Sequence, residues 1–131
     1  MKTFVTFVTL SAFIGVYINP ASAECFGSGD EWQDREAARQ HVVNACRGYD
    51  GNTGAFQGVF APEEYKRACV QHSPTQRLDF TIRNTNTNDA IDLGDDDCVL
   101  RLQNEINGCS RGGSSVVSGW LFTADPNNGL C

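Results

Sequence analysis

Three side chains near the C-terminus have the chemistry of a sugar-binding site. Trp120 offers an aromatic ring for the apolar face of a pyranose, and Asp125 and Asn127 offer planar partners for its hydroxyl groups. Arg111 adds a planar cation, and Asn86 lies in a second polar segment of similar composition. Trp120 also fits a core position on a strand face, and residues 125–127 also fit a turn. These five residues form the candidate ligand-binding set.

A second set of residues has the composition of an acid–base site. His41 and His72 could exchange protons, with Glu63 or Glu64 and Arg77 as partners, as in small acidic ribonucleases. The likeness is only one of element order, and a solvated surface histidine is the commoner case. The chain has no nucleophile elbow, phosphate loop or dinucleotide fingerprint. We therefore expect a binding protein without catalytic activity.

Metal binding is not expected from the sequence. The cysteines include no CxxC pair, and the chain has two histidines. The acidic run 95–97 lacks the spacing of a calcium loop, and it is typical of a helix start, where carboxylates complement the helix dipole.

The six cysteines predict three disulfides, because they occur in a short chain that carries an export signal. Fifteen pairings are possible, and the sequence does not choose among them. Two of the cysteines fall in one predicted helix about 16 Å apart, too far to bridge each other. The cysteines are Cys25, Cys46, Cys69, Cys98, Cys109 and Cys131.

Residues 1–23 have the features of a secretory signal peptide. Lys2 precedes an apolar run, and Ala21-Ser22-Ala23 is a small-x-small cleavage site. The apolar run is too short to span a bilayer, so we expect a secreted single domain over residues 24–131 without membrane insertion. The net charge of −6 and the lack of a basic run argue against binding to nucleic acid.

The periodicity of the apolar residues predicts two helices and several short strands. One helix should begin at a capping box within residues 28–33 and end near Arg47 before Gly48, and the second should open at residues 95–97. Residues 65–72 could also be helical, because Pro62-Glu63-Glu64 could open a helix. The segments with strand character are 55–60, 65–72, 77–84 and 115–123. Together they predict an α+β domain: a mostly antiparallel sheet with both helices on one face.

Several segments together resemble the small secreted lectins of mushrooms. They are Cys25-Phe-Gly-Ser-Gly, Trp32, Cys46, Arg67-Ala-Cys69 before Asp79-Phe80, the run 98–113, Gly119-Trp120 and the tail 124–131.

This resemblance implies one domain with three disulfides and no cofactor, binding to glycans with N-acetylhexosamine, in particular fucosylated GalNAc–GlcNAc units. It also implies a homodimer and toxicity to cells that display such glycans. A fainter similarity to fungal killer toxins gives the alternative of a secreted toxin or effector without sugar binding.

Overall fold

The structure is a computed structural model, and it describes residues 22–131. Most of the predicted signal peptide therefore lies outside the described residues. Its last two residues, Ser22 and Ala23, are part of the first strand. No helix within residues 22–131 is long and apolar enough to span a membrane.

Five antiparallel strands form the main sheet, in the order β1-β6-β7-β4-β3. Two further strands, β2 and β5, pair with each other in a small separate sheet. The bounds are β1 Ser22–Cys25, β2 Val59–Phe60, β3 Tyr65–Ser73, β4 Gln76–Asn84, β5 Ile91–Asp92, β6 Gly113–Val117 and β7 Trp120–Asn128.

Two helices, α1 (Arg35–Arg47) and α2 (Asp95–Gly108), pack against one face of the sheet. Their buried side chains include Val42 from α1 and Leu102 from α2, and these lie in one apolar core with the inward residues of the sheet. The predicted α+β architecture of a single small domain is confirmed.

Strict alternation on the central strands separates the core from an open face. On β4, Leu78, Phe80 and Ile82 are fully buried, and the residues between them are half-buried. The register places Phe80 opposite Ala124 and Ile82 opposite Phe122, so both strands turn their apolar side chains toward the helices. Because the side-chain period of a strand is two, the intervening residues of both strands share the opposite face.

Several predicted boundaries are confirmed. Helix α1 ends at Arg47 before Gly48, whose φ of 89° suits a glycine at a helix C-terminus. Helix α2 begins at Asp95 and ends at Gly108. Residues 65–73 form a strand and not a helix, and a tight turn joins this strand to β4 in a hairpin.

Other boundaries were wrong. Helix α1 begins at Arg35, and its N-cap is Asp34, whose carboxylate accepts a hydrogen bond from the backbone N–H of Ala37. Of the predicted strand 55–60, only Val59–Phe60 is extended in a ladder. These segments were misjudged because overlapping cap motifs precede α1 and because Phe56 and Phe60 imitate strand alternation.

The predicted last strand is a hairpin, which changes the setting of the candidate site. Ser118 and Gly119 both have positive φ, at 51° and 84°, as a tight two-residue hairpin turn requires. The second strand, β7, continues to Asn128, so the predicted turn at residues 125–129 is mainly strand. Asp125 and Asn127 therefore lie on a sheet, with side chains directed to its open face.

Three disulfides form, as predicted. Cys25 pairs with Cys109, Cys46 with Cys98, and Cys69 with Cys131. The pair Cys46–Cys98 joins the two helices, and Cys25–Cys109 fixes β1 to the end of α2. The pair Cys69–Cys131 ties the C-terminus to edge strand β3.

Candidate functional site

The open face of the main sheet carries a continuous array of polar side chains. One row crosses four strands through Arg67, Thr81, Thr123 and Ser114, which the ladder register places side by side. The hydroxyl oxygens of Ser114 and Thr123 lie 3.0 Å apart in a hydrogen bond. Neither helix covers this side of the sheet, because both pack against the opposite face.

A cavity of about 420 Å³ opens on this face. Its polar lining comes from three neighbouring strands, β3, β4 and β7. The volume falls within the roughly 300–1,000 Å³ typical of pockets for small molecules. The lining residues with polar side chains are Arg67, Asp79, Thr81, Thr123 and Asp125.

Two carboxylates face each other across this cavity floor. Asp79 on β4 lies directly opposite Asp125 on β7. Asp79 Oδ2 accepts a hydrogen bond of 2.9 Å from Arg77 Nε and one of 2.7 Å from Asn127 Nδ2. One oxygen of Asp79 is therefore held by two donors from β4 and β7.

Asp125 has a different environment from Asp79. Partial burial raises the pKa of the Asp125 carboxyl, and the neighbouring charge of Asp79 raises it further. The amide of Asn127 and the cation of Arg77 lower the pKa, but by less than the burial raises it. The site thus contains one carboxylate held by two hydrogen-bond donors and a second carboxyl, Asp125, that holds its proton more tightly than usual.

The Cys69–Cys131 disulfide forms one wall of the cavity. Cys69 lines the cavity, and its bond to Cys131 brings the last residues of the chain across the end of the sheet. Gln71 holds this tail from both ends of its side-chain amide. Its Nε2 donates to the carbonyl of Gly129 at 3.1 Å, and its Oε1 accepts from the N–H of Cys131 at 2.8 Å.

An exposed tyrosine lies one step along β3 from the cavity. The side chain of Tyr65 is on the open face, and the residue is 45% exposed. The guanidinium carbons of Arg67 and Arg83 lie 5.2 and 4.9 Å from its ring centre. These cation–π contacts fix the ring beside the polar cavity. An aromatic surface is therefore available next to carboxylate, amide and guanidinium groups.

The structure brings together two of the five predicted ligand-binding residues. Asp125 lines the cavity, and Asn127 donates to Asp79 on its floor. Trp120 lies on the opposite side of β7, is 8% exposed, and packs edge-to-face on Phe60 with ring centres 5.0 Å apart. Trp120 is therefore a core residue in this structure.

The other two predicted residues lie elsewhere. Arg111 forms an ion pair of 3.2 Å with Glu31 and donates to the carbonyl of Gly29, so its charge serves the N-terminal segment. The backbone N–H of Asn86 donates to the Asn84 side chain at 3.0 Å in the loop after β4. Neither residue lines the cavity.

The acid–base set is only partly assembled. His41 and His72 meet on the helix-facing side of the sheet, with Nε2 of His41 3.4 Å from Nδ1 of His72. Glu63 and Glu64 precede the opposite end of β3, and Glu63 pairs there with Arg83 at 3.6 Å. Arg77 lies on the open face with Asp79. The structure thus supplies a histidine pair without the carboxylate and the cation predicted for it.

Sequence reasoning missed Arg67, Asp79, Thr81 and Thr123 as site residues. The alternation on β4 did place Asp79 and Thr81 on its polar side. The sequence does not identify their partners, because the composition of residues 125–129 predicts a turn where the structure has a strand up to Asn128. The register of β7 supplies the missing information.

No protein-family model, curated protein or solved structure matches this chain.

Proposed function

We propose that this protein is a secreted lectin that binds glycans on the open face of its sheet. The carrying observation is the cavity at Asp79 and Asp125, in which carboxylate, amide, hydroxyl and guanidinium groups converge beside Tyr65. Sugar hydroxyls need such planar, charged hydrogen-bonding partners, and the C–H face of a pyranose needs an aromatic surface. The Tyr65 ring takes the role that the sequence assigned to Trp120.

The proposed ligand class is glycans with terminal N-acetylhexosamine, in particular fucosylated GalNAc–GlcNAc units. This part of the proposal rests on the resemblance to mushroom lectins. The site chemistry is compatible with it, because Asp125 can accept from an acetamido N–H and Arg67 can donate to its carbonyl. Three disulfides in so small a domain support secretion, since such bonds persist in oxidising compartments.

A glycan array probed with the oxidised protein tests the proposal. We expect selective binding to N-acetylhexosamine glycans that the free sugar competes away. Asp125→Asn should weaken this binding by about 10- to 100-fold, because hydrogen bonds to a charged group contribute about 1.5–3 kcal/mol. The matched control is Asp92→Asn, which removes an exposed carboxyl on β5, in the small separate sheet and outside the cavity lining.

A tyrosine pair tests the aromatic contact in the same assay. Tyr65→Ala should reduce binding, whereas Tyr49→Ala, at a still more exposed tyrosine outside the cavity, should not. An empty array from a folded, fully oxidised sample would contradict the lectin proposal. It would favour the killer-toxin or effector alternative, for which membrane permeability is the next measurement.

A glycoside hydrolase is the second candidate, and the Asp79–Asp125 pair is the observation that favours it. Glycosidases use one protonated and one ionised carboxyl group on either side of the scissile bond. The pKa of Asp125 is raised, as that of a general acid would be, and Asp79 lies directly opposite it. Release of nitrophenol from nitrophenyl N-acetylhexosaminides, abolished by Asp125→Asn, would support hydrolysis over binding alone.

A further inference from the structure

A carboxyl group is buried between α2 and the edge of the main sheet. Glu105 of α2 is 5% exposed, and its Oε2 accepts a hydrogen bond from the hydroxyl of Ser115 on β6. Its second oxygen, Oε1, has no hydrogen-bond partner within residues 22–131. Burial raises the pKa of Glu105, and the hydrogen bond from Ser115 lowers it by less. Because a buried carboxyl with one unpaired oxygen is costly, a partner for Oε1 would stabilise the folded chain.

A cavity of about 330 Å³ leads to this carboxyl. Its lining comes from α2, β1 and β6, and it includes Glu105, Arg101, Ala23 and the Cys25–Cys109 disulfide. No ion pair joins Arg101 to Glu105 within residues 22–131. Every fully enclosed polar side-chain atom in this part of the chain has a hydrogen-bond partner, so the unpaired Oε1 is accessible and faces the cavity.

The predicted cleavage site of the signal peptide lies at the wall of this cavity. The ladder register places Ala23, the last residue of the predicted peptide, opposite Ser115. A side-chain carbon at Gly113 would lie 2.7 Å from the carbonyl oxygen of Glu24 and 3.1 Å from Oε1 of Glu105, so these two oxygens border one small space that the glycine leaves open. Three covalent bonds of about 1.2–1.5 Å each separate that carbonyl oxygen from the backbone nitrogen of Glu24. The nitrogen is therefore close to the unpaired Oε1.

We propose that Glu105 is the binding site for the α-ammonium group of Glu24, which removal of residues 1–23 creates. Hydrolysis of the Ala23–Glu24 peptide bond consumes one water and converts a neutral amide nitrogen into an ammonium, with a carboxylate on the departing Ala23. Ala23 then no longer lies opposite Ser115, and the ammonium has access to Oε1 of Glu105. A primary ammonium has three donors and a compact charge, so it pairs with Oε1 while Ser115 retains Oε2.

This inference rests on the predicted cleavage site and not on the proposed glycan site. Ser115 faces the helices, whereas its neighbour Ser114 is on the open face of the sheet with Thr123. Glycan binding should therefore be unchanged by Glu105→Gln, and failure of one proposal is distinguishable from failure of the other.

Acetylation of the protein secreted by a eukaryotic host tests the pair. Its intact mass gives the first residue, which we expect to be Glu24. Acetic anhydride reacts with the unprotonated amine, so an ammonium held by Glu105 should react slowly, and Lys66 is the internal reference as the one lysine after residue 23. Glu105→Gln should raise the acetylation rate of the α-amino group, relative to Lys66, by about tenfold or more, because a nearby opposite charge shifts a pKa by about 1–3.

The matched control is Glu36→Gln, which removes an exposed carboxyl in the first turn of α1 and should leave the relative rate unchanged. The pH dependence of the wild-type rate gives the pKa of the α-amino group without any substitution. The charged groups that line the cavity are Arg101, which would lower this pKa, and Glu105, which would raise it. We expect a value above the usual range of about 7.7–8.0.

Three outcomes would overturn the proposal: a first residue other than Glu24, an α-amino pKa within or below the usual range, or a relative rate that Glu105→Gln leaves unchanged. A circular-dichroism melt identifies a variant that has failed to fold, and in that case the wild-type pKa decides.

Discussion

Asp79 and Asp125 face each other across β4 and β7, and like charges at such positions are destabilising. Arg77 and Asn127 offset this repulsion mainly at Asp79, to which both donate hydrogen bonds. Asp125 carries most of the cost, because burial and the charge of Asp79 both raise its pKa. A ligand that donates hydrogen bonds to Asp125 would reduce this destabilisation. Binding would therefore stabilise the folded protein at the residue that the free site leaves least favourably placed.

The raised pKa of Asp125 predicts how the stability of one variant, Asp125→Asn, should depend on pH. A raised folded pKa means that the folded state holds the proton of Asp125 more tightly than the unfolded chain does. Protonation of Asp125 therefore stabilises the folded state fully below the ordinary pKa of 3.8. This stabilisation is lost as the pH rises through the raised pKa of the folded state. We expect Asp125→Asn to be more stable than the wild type at pH 7, and the difference to disappear near pH 3.

Urea denaturation at a series of pH values measures this effect. The control Asp92→Asn removes an exposed carboxyl and should show no such pH-dependent gain. An Asp125→Asn variant that is less stable than the wild type at pH 7 would contradict this prediction, because favourable contacts of the carboxylate would then outweigh its burial.

Disulfides at two positions in the fold should have different effects on binding. Cys46–Cys98 closes a separation of 52 residues between the helices, and Cys69–Cys131 closes 62 at the cavity wall. Since loop entropy grows slowly with length, removal of either should cost a similar amount, about 2–4 kcal/mol. Only the double substitution Cys69→Ala with Cys131→Ala should also weaken glycan binding, because it frees the tail that Gln71 holds.

The comparison requires both double variants to be folded at the assay temperature, which a melting curve establishes. Glycan affinity is then measured by calorimetry on each. Equal loss of affinity in both variants would show that the tail does not shape the site, and that general loosening of the domain explains the effect.

The strand that the sequence predicted least well is β7. Pro126 lacks the N–H of a strand residue, and with Asp125 and Asn127 it resembles a turn. The β6–β7 ladder ends where Gly113 pairs with Ala124, so at Pro126 the strand has a neighbour only on the β4 side. Proline is tolerated there as on an edge strand. Which strand has this free edge depends on the strand order, and no local pattern contains that information.

Local sequence patterns were sufficient to predict those elements whose apolar residues are the ones buried in the structure. The alternation of Leu78, Phe80 and Ile82 predicted β4, and the acidic run at residues 95–97 predicted the start of α2. The sequence predicted the types of side chain in the candidate site, but it did not predict where in the fold the site would form. Asp125 and Asn127 were named, while Tyr65 and Asp79 come beside them only through the pairing of β3, β4 and β7.

At the scale of the whole molecule, the proposed site predicts weak binding by each chain alone. The cavity is open, and the aromatic contact comes from one tyrosine whose ring also touches two arginines. Strong binding to cells then requires two sites on one particle, as the dimer implied by the resemblance would provide. Linking two sites raises the overall affinity by about 10²–10⁴ without any new contact.

We therefore expect light scattering to give the mass of two chains, and dissociation from a glycan surface to slow as glycan density increases. Calorimetry with the soluble monovalent oligosaccharide supplies the affinity of a single site as the reference. Asp125→Asn, which should weaken each site without altering the oligomer, provides the control: its dimer mass should be retained while binding falls at every density. A one-chain mass with density-independent dissociation would contradict the dimer and would leave cell binding to depend on the single site.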